Sequence, residues 1–304
     1  MKDWRSQFDF SQPFWDDFRA PLQRLQGPQF PDAVDLLRLL PDSLSSHGGH
    51  AIRFVAASEL SPAEYERHIY TTGEVSTRED NWHDLFNALV WSRFPRLKVA
   101  MNAVHVEEHN SQDGNVRGKK RDALTLLDES GAIVVCADQN LLSSLARHDW
   151  LRIFQKGVFQ PVSEGGQAKL RIFLCGHALL EKFLQPYKAI TAQVLLVQLS
   201  AQAFSQERKG LRQSLDQVLA DELRAGRLLD SPRSLSALPL MGIPGWWPYG
   251  TNKDYYADQK VFRVLREGVD PAPIINIQVP VVQAIPGRCH QEKTGLASSN
   301  KPAP

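Results

Sequence analysis

Histidine, asparagine and carboxylate side chains crowd into the stretch from Gly73 to Glu129, next to strongly apolar helix faces. Asn81, His83, Asp84 and Asn87 open one helical segment, with His83 and Asn87 one turn apart beside its apolar stripe. Asn102, His105 and His109 share a side of the next segment, and Arg121-Asp122 and Asp128-Glu129 follow. Polar groups at a core boundary must be partnered. Imidazoles mixed with carboxylates are also the donor set of divalent-metal sites. The density suggests a site more than a solvated surface.

Two spacings sharpen that expectation. In His105-Val106-Glu107-Glu108-His109 the histidines lie one helical turn apart, able to share a tetrahedral metal. The order H-x-x-E-H is that of the inverzincin metalloproteases, whose Glu is a general base. A polar helix end followed by a Gly/Lys loop explains the same residues as a solvated face with two incidental histidines. In Gly176-His177-Ala178-Leu179-Leu180-Glu181, a strand leads into a helix that carries His177 and Glu181 at i and i+4. The start of that helix also favours an anion. The expected metal set is therefore His105, His177 and Glu181, with His83 as an alternative histidine. Against it, His177 can simply cap its helix while Glu181 stays solvated.

The remaining constellations each carry two readings. Asn81, His83, Asp84 and Asn87 form either a catalytic group or a hydrogen-bond network tying two helices together. Asp122 stands beside Arg121, which can lower its pKa. Asp128-Glu129-Ser130-Gly131 reads as an ordinary hairpin turn, since Asp and Gly supply turn geometry without chemistry. The basic run Arg117 to Arg121 lacks aromatic interleaving and reads as a solvated loop. Trp246, in the Pro- and Gly-rich segment from Gly242 to Asn252, either walls a pocket or clamps the C-terminal segment to the core. The candidate assignment is His83, Asp84 and Asp122 as catalytic groups and Asn81, Asn102, Arg121 and Trp246 as ligand-binding groups.

These residues must be positioned by helices and short strands. Trp82, Leu85, Phe86, Leu89 and Val90 recur at i, i+3, i+4, i+7 and i+8, a buried helical stripe, which Pro95 ends. A second helix is expected from about Leu97 to His109. Leu124–Leu127 and Ala132–Ala137 read as the strands of a β-hairpin. Helices are expected over Leu141–Phe154, His177–Leu184 and Leu211–Ala225, and strands over Ile52–Ala57, Leu170–Leu174 and Val194–Leu199. Strands and helices mix without a steady βαβ rhythm, so the expected class is a single α+β domain. Its expected organisation is an aromatic, Pro-rich helical segment over 1–50, a main domain over 51–285 and a disordered tail over 286–304.

Composition limits the alternatives. A chain of 304 residues, 42% hydrophobic and 23% charged, is large enough to bury a core. Thirty-five basic against 34 acidic residues leave a net charge of +1 and no global attraction to nucleic acid or anionic lipid. No run approaches the roughly 20 apolar residues that span a bilayer, and no signal-peptide core follows the first charges. Three cysteines share no CxxC pair, and Cys136 and Cys175, each at the end of an apolar run, read as buried thiols of a reducing compartment. A cytoplasmic protein is expected.

Taken in order, Tyr70-Thr71-Thr72-Gly73-Glu74, Asn81 to Leu89, Asn102-Ala103-Val104-His105, Arg121 to Thr125, Gly176 to Leu179 and Pro244-Gly245-Trp246-Trp247 resemble the bacterial family catalogued as domain of unknown function 3025. The resemblance covers about residues 50 to 265. It implies polar motifs at His83, Asp84, His105, Asp122 and His177 but not at His109, and it carries no activity, substrate or cofactor. The function expected is hydrolysis assisted by a divalent metal in a polar cleft. The alternative is a non-catalytic module that binds a small molecule or protein partner, its polar motifs being structural.

Overall fold

A computed structural model describes residues 3–280, apart from positions 8, 58–59, 111–117, 156–157, 160–167, 248 and 250–251. The expected tail over 286–304, Arg117 and Cys289 lie outside the described residues. In chain order the elements begin with α1 (Arg19–Arg24), α2 (Ala33–Leu37), β1 (Arg53–Ala56), α3 (Pro62–Thr72), β2 (Glu74–Thr77), α4 (Trp82–Arg93) and α5 (Pro95–Asn110). The middle of the chain forms α6 (Lys119–Ser130), β3 (Gly131–Cys136), α7 (Gln139–Ala146), α8 (Trp150–Ile153), β4 (Leu170–Leu174), α9 (His177–Lys182) and β5 (Thr191–Gln198). The chain continues through α10 (Ala201–Phe204), α11 (Arg208–Arg224), β6 (Ser236–Pro239), α12 (Lys253–Tyr256) and β7 (Ile274–Asn276). The class is a mixed α+β domain. Among the described residues no helix is long and apolar enough to cross a membrane.

The centre is a mixed sheet ordered β4-β3-β5-β6. β3 and β5 are parallel, β4 and β6 are antiparallel to them, and β7 adds in parallel to the far end of β5. All six residues of β3 are buried. Their side chains alternate between two cores: Ala132, Val134 and Cys136 face one, Ile133 and Val135 the other. A strand covered on both faces reads as a continuous apolar run, as Gly131-Ala-Ile-Val-Val-Cys does. One face is covered by α4, α7 and α9 and the other by α5, α6 and α11. The free thiols Cys136 and Cys175 are buried, and burial pushes the Cys136 pKa up to about 11.

The expected hairpin before β3 is absent. Residues 119–130 are the helix α6, whose buried Ala123, Leu124 and Leu127 fall at i, i+1 and i+4, one helical face. A run as short as Leu124–Leu127 cannot by itself separate a strand from a helix turn, and Asp128-Glu129-Ser130 belongs to the last helical turn. The span expected as one helix over 141–154 is broken at His148, which adopts a left-handed φ of 60° after α7.

Local signals set the helix ends near the polar motifs. Asn81 Oδ1 accepts from Asp84 N at 3.1 Å, capping α4. Ser61 and Glu64 form a capping box at the start of α3, which ends on left-handed Gly73. Pro95 begins α5, and the next two amides of α5, Arg96 N and Leu97 N, donate to the Asp216 carboxylate of α11 at 3.2 and 2.9 Å. The N-terminal aromatics pack into the same core. Phe14 stacks on Phe183 at 4.3 Å and Trp15 on Phe86 at 5.7 Å.

One corner joins the elements that carry the polar motifs. Cys175 N and Gly176 N both donate to Gly131 O, at 3.0 and 2.8 Å, so the end of α6, the start of β3 and the start of α9 meet there. A Cβ on Gly176 would lie 2.2 Å from Gly131 N and 2.7 Å from Glu129 O, both backbone atoms. Gly176→Ala is expected to cost about 2–3 kcal/mol by forcing this corner open. Gly210→Ala, which meets nothing within 4 Å, should be neutral or stabilise by about 0.5–1 kcal/mol. Urea denaturation of the two variants checks this; equal stabilities would refute the corner's tightness.

Candidate metal centre

Packing of α9 against α4 and α6 brings three side chains together. His83 comes from the first turn of α4, Glu129 from the last turn of α6 and His177 from the first position of α9. Each offers a ligand atom, and the three atoms lie within 4.8 Å of one another. The two Nε2 atoms are 3.0 Å apart, and His177 Nε2 is 3.7 Å from Glu129 Oε2. Two bonds of ~2.0–2.1 Å at a tetrahedral angle separate ligand nitrogens by about 3.3 Å, so the spacing suits one shared ion. The His177 side chain is 6% exposed and that of Glu129 41%, so the set is anchored in the core and open on one side.

Carboxylates stand behind both imidazoles. His83 Nδ1 is 3.2 Å from Glu181 Oε2, and His177 Nδ1 faces Asp128 Oδ2 at 3.7 Å. Asp128 is held by Lys98, whose Nζ donates to Oδ1 at 2.5 Å and sits 5.4 Å from the centroid of the Trp91 ring. Burial opposes the Asp128 anion most strongly, yet Lys98 and His177 together hold its pKa below the ordinary value. Burial and the adjacent Asp128 raise that of Glu129. Burial, with Lys98 and His83 adding and Asp128 opposing, takes His177 down to about 4. His177 is therefore neutral at pH 7, the state in which imidazole binds a metal.

The tautomers of the pair are in conflict. If each Nδ1–H points at its carboxylate, two Nε2 lone pairs confront each other at 3.0 Å. If His177 instead carries its proton on Nε2 and donates to His83, a bare Nδ1 lone pair faces the Asp128 carboxylate. In the structure His177 Nδ1 is buried without a hydrogen-bond partner. A cation between the two Nε2 atoms, whether a metal ion or one further proton, removes the conflict.

Of the residues singled out by spacing, His83, His177 and Glu181 converge here, with Glu181 behind His83. His105 stands outside this set. It lines a crevice with Glu66, Lys98, Asn102 and Asp128, and burial lowers its pKa. Asp84 is engaged by Arg78, which donates Nε and Nη2 to its two oxygens at 2.9 and 2.8 Å. Asp122 lies in the first turn of α6, about 10 Å along the axis from Glu129. Asn81 caps α4. Arg121 lines the outer part of the crevice beside His105 and His109. Trp246 is buried edge-on to Phe14 and Phe183, at 5.8 and 6.2 Å.

Lys98 was not singled out by sequence, and Asp128 and Glu129 were noted as a carboxylate pair but read as a turn. Lys98, Asn102 and His105 do recur at i, i+4 and i+7 of α5, a polar row beside the buried Leu97, Met101 and Val104, and that row was the available signal for Lys98.

The molecule is thus an α+β protein with a two-histidine, one-carboxylate cluster at a helix junction. The chain belongs to the family described as protein of unknown function DUF3025, whose model matches residues 52–266. No curated protein and no solved structure matches it.

The depressed His177 pKa has a signed consequence for the metal-free protein. Between pH 6.5 and about 4 the unfolded chain binds the proton that folded His177 refuses. Its stabilising contribution is complete above pH 6.5 and is lost as pH falls toward 4, up to about 3 kcal/mol. His177→Gln should flatten the acid limb of the stability profile by that order, measured by urea denaturation in EDTA at pH 7 and 4.5. Parallel profiles would contradict the assignment.

Proposed function

We infer that the protein is a divalent-metal-dependent hydrolase, the metal held by His83 Nε2, His177 Nε2 and the Glu129 carboxylate. The observation that carries this reading is the opposed pair of Nε2 atoms, each imidazole backed by a carboxylate on its other nitrogen. For His83 the 3.2 Å contact with Glu181 is the carboxylate–histidine–metal arrangement that fixes tautomer and raises ligand basicity, while Asp128, 3.7 Å from His177 Nδ1, acts on His177 through its charge. Imidazole and carboxylate together suit zinc, iron or manganese. Three protein ligands on an open side leave a position for water, whose pKa such a metal lowers to about 7.

The same residues also make sense as a proton-sharing hydrogen-bond network without metal, because the 3.0 Å Nε2···Nε2 separation is a hydrogen-bond distance once one imidazole carries the proton. Metal titration separates the two. Zinc added to EDTA-treated protein should bind with 1:1 stoichiometry and release protons, since the extra proton and the metal compete for one place. Affinity should be lost in His83→Ala and His177→Ala and should fall about 10–100-fold in Glu181→Gln. His105→Ala and Asp84→Asn should retain it. No binding of zinc, manganese or iron by the wild type would leave the network reading in possession.

A further inference from the structure

Helix α4 carries His83 in its first turn and Arg93 as its last residue, about 15 Å apart along the axis. The Arg93 end meets the start of α11, where Arg208 and Arg212 lie one turn apart on one side of that helix. Arg212 Nη1 donates to Arg93 O, which ties the two helices together. Arg208 is paired with Asp17, donating from Nε at 2.9 Å and from Nη2 at 2.5 Å. Helix α11 begins without a side-chain cap, so the positive end of its dipole adds to the same field.

Two of these guanidinium groups have no counter-ion. Arg212 is 4% exposed and Arg93 is half-buried, and among the described residues neither forms an ion pair. The Arg93 side chain makes no hydrogen bond, and Arg212 makes only the one to Arg93 O. Both Nε atoms are buried without an acceptor, whereas the unpartnered η nitrogens keep contact with solvent. An ion arriving from water can therefore reach them. The nearest acids are already engaged: Asp17 by Arg208, and Asp216 by the amides of Arg96 and Leu97. Burial, with Arg93 adding and Asp17 and Asp216 opposing, takes the Arg212 pKa down to about 10. Burial also lowers that of Arg93, Asp17 opposing and Arg208 adding. Both stay cationic at neutral pH. A desolvated charge is normally paired, so what this corner lacks is an anion.

We propose that the junction of α4 and α11 is a phosphate-binding site, the ion accepting from the η nitrogens of Arg93 and Arg212 with Arg208 beside them. A tetrahedral dianion can accept from two guanidinium groups at once, and arginine is the side chain suited to that geometry. A carboxylate brings a single charge and fills one planar fork. Free phosphate and the phosphate of a small ester share the required chemistry. The site lies at the other end of α4 from the two histidines and stands independently of the metal reading.

The test uses the full chain treated with EDTA, so that no metal can hold the ion. Inorganic phosphate is titrated by calorimetry at about pH 8, where it is a dianion, with ionic strength held constant by sodium chloride. Saturable 1:1 binding is expected, with a Kd on the order of 0.1–1 mM for so small an ion. Acetate should bind about tenfold more weakly. Arg93→Gln and Arg212→Gln should each weaken phosphate about tenfold or more, whereas Lys209→Gln, at an exposed neighbour on α11, should keep wild-type affinity. Arg93→Gln removes a half-buried group at a helix end, so it serves where Arg212→Gln fails to fold. Phenyl phosphate binding as tightly as phosphate assigns the site to esters, and its exclusion assigns it to the free ion. No saturable binding, equal binding of acetate, or wild-type affinity in folded Arg93→Gln protein would overturn the proposal.

Discussion

The close approach of Gly176 to Gly131 governs how this protein brings its polar residues together. Gly131 O receives both Cys175 N and Gly176 N, and Gly176 has no room for a side chain. Two short peptide segments are thereby locked at one point. The residues just before it in one segment are Asp128 and Glu129; the residue just after it in the other is His177. Helix α4 then needs only to dock its first turn against α9 to add His83. Three residues separated by up to 94 positions in the chain become neighbours through one backbone contact and one helix pairing.

The second consequence of that corner is electrostatic. Once Asp128 is placed beside His177 in a half-buried position, its charge must be compensated, and Lys98 is positioned to do so across the helix pair. The cost of burying two charges is offset only when the pair is close and well bonded, and the 2.5 Å contact meets that condition. Lys98 in turn lies over Trp91, so an aromatic ring on α4 covers the ammonium side of the pair, while the Asp128 side chain keeps 19% of its surface exposed. The imidazole of His177, desolvated in the same region, is left neutral. Nothing about a stable core requires this arrangement. Apolar residues of similar volume would do as well or better, which points to the corner's chemistry as its reason.

The sequence disclosed the parts of this design that repeat with a helical period and hid those that do not. The stripe of Trp82, Leu85, Phe86, Leu89 and Val90 located α4, and the polar residues at its start followed. His177 and Glu181 were found because i, i+4 spacing after an apolar strand places both at one helix end, and they do meet His83. Glu129 was lost to a turn signal. Asp-Glu-Ser-Gly after a short, largely apolar run satisfies the pattern of a hairpin as well as that of a helix terminus, and the Gly that suggested the turn is instead needed because a Cβ there would lie 2.0 Å from Leu127 O. Strands β2, β6 and β7 left no readable pattern, being three or four residues long. The mixed α+β class was legible nonetheless, because β3 and β5 are long apolar runs and the large helices carry clear faces.

The histidine pair also shows why spacing alone left His83 and His105 as alternative partners for His177. Spacing can relate His105 to His109, or His177 to Glu181, because each pair lies on one helix. It cannot say which helices pack. The contact between α4 and α9 is decided by aromatic fit: Trp15 stacks on Phe86 of α4 while Phe14 stacks on Phe183 at the end of α9. Adjacent residues of the N-terminal segment thus bridge the two helices, and Phe183 and Trp246 close the same cluster. The 3.0 Å separation of the two imidazoles is set by apolar packing remote from them. A cation seated there meets ligands whose spacing was fixed by the core, which is the condition for a preorganised site rather than one assembled around its ion.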